Sequence, residues 1–72
     1  MSAIYELEIH FWDSPREVSQ TRSRATAYKR FRRAMKRPFL YYVTLIELDE
    51  ASETITSTTR HVPLRNRKNE DE

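Results

Sequence analysis

Residues 4–12, I-Y-E-L-E-I-H-F-W, alternate apolar and polar side chains from Tyr5 to Phe11. A period of two puts Tyr5, Leu7, Ile9 and Phe11 on one side of an extended chain and Glu6, Glu8 and His10 on the other. This stretch reads as a half-buried strand, and the rest of the chain must supply what covers its apolar side.

The next segment offers a helix. Ser14 can act as N-cap, Pro15 suits the first turn, and Glu17 stands three residues after Ser14 as the reciprocal partner of a capping box. The spacing predicts a helix from about Pro15 to Lys36, stopped because Pro38 restricts Arg37 to extended geometry. At 100° per residue, Ala27, Tyr28, Phe31, Ala34 and Met35 share one face. Arg22, Lys29, Arg33 and Lys36 lie roughly opposite, with Arg30, Arg32 and Arg37 beside them. Arg24 projects onto the apolar side and is expected to reach the rim or a carboxylate.

Residues 39–49, F-L-Y-Y-V-T-L-I-E-L-D, predict a second strand that is apolar on both faces, with Tyr42, Ile46 and Leu48 on one and Tyr41, Val43 and Leu45 on the other. That pattern implies a central strand or a covered second face. After the polar loop D-E-A-S-E comes T-I-T-S-T-T-R-H-V, rich in Thr and polar on both faces, hence an edge strand ended by Pro63. The expected fold is α+β in the order β-α-β-β, one amphipathic helix on a three-stranded sheet. Residues 1–64 form a single domain and 65–72 a disordered charged tail.

Composition closes off several functions. With 72 residues the core is small. The absence of Cys removes thiol nucleophiles and thiolate metal sites, and the absence of Gly removes phosphate-binding loops and dinucleotide fingerprints. No apolar run has the roughly 20 residues needed to span a bilayer. The start of the chain lacks the pattern of a signal peptide. A cytoplasmic protein without membrane contact is expected.

The charge is unevenly distributed. The net charge is only +2, yet six of the thirteen residues in T-A-Y-K-R-F-R-R-A-M-K-R-P, 26–38, are Lys or Arg and none is acidic. Residues 14–37 carry nine bases against Glu17, whereas 38–59 carry Glu47, Asp49, Glu50 and Glu53 and no base. Arg predominates in the helix, and its planar fork suits phosphate better than the Lys ammonium does. Mixed signs would serve solubility better than this one-signed run.

Two classes of function follow. In the first, the helix grips nucleic acid through Arg22, Lys29, Arg30, Arg33, Lys36 and Arg37. In the second, the chain is a protein-interaction module, an adaptor or inhibitor of a host or partner protein, which meets an acidic surface through the helix or adds a strand at the sheet edge. An apolar patch of Trp12, Tyr41, Val43 and Leu45, on the sheet face away from the helix, is expected to form a protein interface and to favour a homodimer. His10 and His61 are the only histidines. Unless the third strand pairs with the first they stay apart, so neither catalysis, nor a metal, nor a cofactor is expected.

Overall fold

A computed structural model describes residues 3–64. Its elements are β1 (Ala3–Phe11), β2 (Glu17–Thr21), α1 (Arg24–Ala34), β3 (Leu40–Asp49) and β4 (Thr54–His61). The strands make one antiparallel sheet in the order β2-β1-β3-β4, with α1 packed on one face. The α+β class is as expected. The sheet, however, has four strands rather than three, and the chain runs β-β-α-β-β. The predicted tail at 65–72 lies outside the described residues.

The additional strand takes the first part of the expected helix. Residues 17–21, E-V-S-Q-T, combine two β-branched side chains with a Ser, none of which favours a helix interior. They pair along β1 from Tyr5↔Thr21 to Ile9↔Glu17, and Gln20 donates its amide to Glu6 at 2.9 Å. The Ser14–Glu17 capping box does not form, because Ser14 lies in the β1–β2 turn. The helix starts instead at Ser23, whose Oγ accepts from the Thr26 amide at 3.2 Å. It ends with Met35 as C-cap, and the Lys36 and Arg37 amides close onto the Arg33 and Ala34 carbonyls.

Alternation in β1 works as read. Tyr5, Leu7 and Ile9 are buried with Ala27, Phe31 and Ala34 of α1, and Phe11 and Tyr28 pack at the margin. β3 is central, as its two apolar faces implied. Its Leu40, Val43 and Leu45 complete the core below the helix, Leu40 and Val43 without any exposed surface. β4 forms the edge beyond β3, and residues 54–60 are all exposed.

The side facing away from the helix holds Ile4, Glu6, Glu8 and His10, which lie opposite Leu48, Ile46, Thr44 and Tyr42 of β3. The expected apolar patch is therefore corrected in two of its four members, while Trp12 and Tyr41 are exposed and Tyr41 lies against Tyr42. Val43 and Leu45 point under the helix into the core, and the apolar side chains of the open face are Ile4, Ile46 and Leu48, extended by Ile55 of β4. A register shift beside Glu47 and Leu48 places both Ile55 and Thr58 on this face. Thr54, Thr56 and Thr58 thus do not form the single-faced series their spacing suggests.

Candidate nucleic-acid interface

The burial of Ala27, Phe31 and Ala34 fixes the rotation of α1. With 100° per residue, Lys29, Arg32, Arg33 and Lys36 are turned away from the sheet, and Arg30 and Arg37 lie on one flank. All six are exposed. No acid falls in the helix, and Arg32 and Arg33 in its last turn complement the negative end of its dipole.

The remaining bases of this region are engaged. Arg22 stands in the β2–α1 turn, not on the helix, and both its terminal nitrogens reach the Glu50 carboxylate. That pairing lowers the Glu50 pKa and raises that of Arg22. Arg37 lies 3.5 Å from Glu17, with its guanidinium 4.9 Å above the Phe11 ring. Arg24 takes the role its position implied, 3.8 Å from Glu47 and 5.1 Å over the Tyr28 ring.

Lys29, Arg30, Arg32, Arg33 and Lys36, by contrast, pair with no carboxylate among the described residues. Arg30 and Arg33, with Arg37, also border a shallow cleft of about 180 Å³, floored by Leu7, Ile9 and Ala34. Of the six expected contact residues, four have no carboxylate partner among the described residues. Arg32 joins them; its place in the final turn signals it equally well.

Acidic side chains lie elsewhere. Glu6 and Glu8 share the open face of the sheet, and Asp49, Glu50 and Glu53 cluster around the β3–β4 turn. Hydrogen bonds with the Glu6 carboxyl and then the His10 ring hold Glu8 below the usual carboxylate range. His10 Nε2 is 3.3 Å from Glu8 Oε1, and its ring stacks on Tyr42 at 4.2 Å. Arg60 covers the Tyr42 ring from β4 at 4.6 Å and donates from Nε to Thr44 Oγ1 at 3.3 Å. Tyr42 is thus part of the open face rather than of the core. His61 lies opposite Val43, on the helix side of the sheet, so the two histidines are separated by the sheet itself.

At the end of the molecule where β1 finishes and β3 begins, Trp12 and Tyr41 stack at 4.2 Å with a 36° tilt. The Trp12 amide donates to the Phe39 carbonyl at 2.9 Å. Among the described residues, no helix is long and apolar enough to cross a membrane. No family model, curated protein or solved structure matches the chain.

Proposed function

We propose that the chain is a noncatalytic nucleic-acid-binding protein whose contact surface is the outward face of α1. The observation that carries this reading is the set of five neighbouring cations, Lys29, Arg30, Arg32, Arg33 and Lys36, without carboxylate partners among the described residues. A helix of 11 residues is about 16 Å long. Its guanidinium forks can donate hydrogen bonds in pairs to phosphate oxygens, and each phosphate neutralised releases counterions. Glu6 and Glu8 lie behind the sheet, so their repulsion of phosphate acts from the far side. A homodimer goes with this reading, supported by the bare β4 edge and by Ile4, Ile46, Leu48 and Ile55 on the open face.

The test is fluorescence anisotropy with short single- and double-stranded DNA and RNA at several salt concentrations. Affinity should fall log-linearly with salt and vanish when Arg33 and Lys36 are both changed to Glu, while the melting temperature stays within a few degrees. Absence of binding at low salt would sink this reading and leave an acidic protein surface as the target of the helix.

A further inference from the structure

The cleft beside α1 gathers three arginines around one small space. It holds about 180 Å³, with Leu7 and Ile9 of β1 and Ala34 of the helix as floor and Arg30, Arg33 and Arg37 as border. Positions 30 and 33 are neighbours on the helix surface. The Arg37 amide closes onto the Ala34 carbonyl, and this last turn carries the row on to Arg37. Like charges so spaced repel one another and do nothing for folding. None of the lining residues is acidic. The one carboxylate paired with any of the three among the described residues is Glu17, 3.5 Å from Arg37 and opposite Ile9 in the sheet. Both members of that pair are largely exposed, so it is weak and readily exchanged. The carbonyls of Phe31, Arg33 and Ala34 are taken by the Met35, Lys36 and Arg37 amides, which limits the negative potential at this helix end.

Resting on the nucleic-acid reading above, we infer that the cleft holds the terminal phosphate of a nucleic-acid strand, a phosphomonoester that displaces Glu17 from Arg37. Charge balance selects the group. Three guanidiniums against one carboxylate leave an excess of two positive charges. A phosphomonoester carries about −1.5 to −2 at pH 7 and three acceptor oxygens, one for each fork. An internal phosphodiester carries a single negative charge, and a protein carboxylate offers two oxygens, which one fork already occupies. The apolar floor keeps water from one side of the guanidiniums and so strengthens their bonds. Lys29, Arg32 and Lys36 continue around the same helix without carboxylate partners among the described residues, ready for the phosphates that follow the terminal one. A phosphorylated protein side chain brings no such row.

The probes are three oligodeoxythymidines of equal length, labelled internally: one with a 5′-phosphate, one with a 3′-phosphate and one with hydroxyls at both ends. Anisotropy at fixed salt should show at least one phosphorylated strand binding roughly 10- to 100-fold more tightly than the hydroxyl strand. The end that gains identifies the terminus. Arg37→Gln should bring the ratio of phosphate to hydroxyl affinity close to one. Lys29→Gln, outside the cleft, should weaken all three strands and keep the ratio. Glu17→Gln should tighten the phosphorylated strand by roughly 1.5- to 5-fold, because Arg37 no longer shares its fork.

Equal affinities for the three strands, or a ratio untouched by Arg37→Gln, would overturn the cleft site and leave the helix face as a binder of internal phosphates. No binding of any strand would overturn both readings. A phosphoserine peptide that binds as tightly as the phosphorylated strand would assign the cleft to a phosphorylated protein and also overturn the proposal.

Discussion

The Arg22 guanidinium grips the Glu50 carboxylate with both terminal nitrogens, Nη2 to Oε2 at 3.0 Å, across a separation of 28 residues. One ion pair thereby ties the β2–α1 turn to the β3–β4 turn. It also withdraws Arg22 from the cations offered to a ligand, although its sequence position beside the basic run suggests otherwise. Arg22→Ala should leave nucleic-acid affinity within about two-fold, whereas Arg33→Ala should reduce the salt slope by about one phosphate contact. Paired anisotropy titrations of the two variants decide this.

The same pair gives a pH dependence. Glu50 has a folded pKa below its ordinary value because Arg22 bonds its charged form, and Glu8 is held low by Glu6 and His10. A depressed carboxylate pKa means that the unfolded chain binds protons first. The stabilisation is complete above the unfolded value near 4.5 and is lost as the pH falls through the folded values. Melting temperature should therefore drop as the pH falls below about 4.5, and Glu50→Gln should flatten part of that drop.

Helix capping separates the observed helix start from the one expected at residue 14. Ser23→Ala should cost about 1 kcal/mol, because the Thr26 amide loses its acceptor. Ser14→Ala should lie within ±0.5 kcal/mol, as its hydroxyl reaches only Asp13 in an exposed turn. Urea denaturation of both variants provides the comparison.

Glu53, like Phe39, stands in the left-handed region, at φ 58° in the turn before β4. Glu53→Gly should stabilise by about 0.5–1 kcal/mol, because glycine adopts this conformation without a Cβ clash. A loss of stability would mean that the Glu53 side chain contributes more than its backbone costs.

Leu40 has no exposed surface and sits where β3 enters the core. Leu40→Ala should cost about 2–5 kcal/mol. In a chain this short that is a large part of the total stability, so the variant should show a broadened or absent thermal transition in circular dichroism.

The sequence was legible where a period repeated against a strong burial contrast. β1 shows this in Tyr5, Leu7 and Ile9, and the second half of the helix in Ala27, Phe31 and Ala34. β2 was not legible, because its five residues bury almost nothing and its identity depends on pairing with β1. Local signals favoured the alternative: Ser14, Pro15 and Glu17 spell a helix start, and only partner hydrogen bonds from β1 outweigh them. The face assignment in β3 failed for a related reason. Val43 and Leu45 look like a patch shared with Tyr41 until the helix is known to cover them, while a register shift leaves Tyr41 against Tyr42 instead. The cationic set was legible as a set, but which members were neutralised depended on Glu17, Glu47 and Glu50, brought near by tertiary structure.

Among the described residues, β4 is the last strand and the outermost in the sheet, and it pairs with β3 alone. The core cluster draws on β1, the helix and β3 and takes no residue from β4. Amide hydrogens of Thr54–His61 should exchange with deuterium well before those of β1 and β3, as a separate opening unit. The edge strand is thus a part of the sheet whose detachment would leave the core cluster intact.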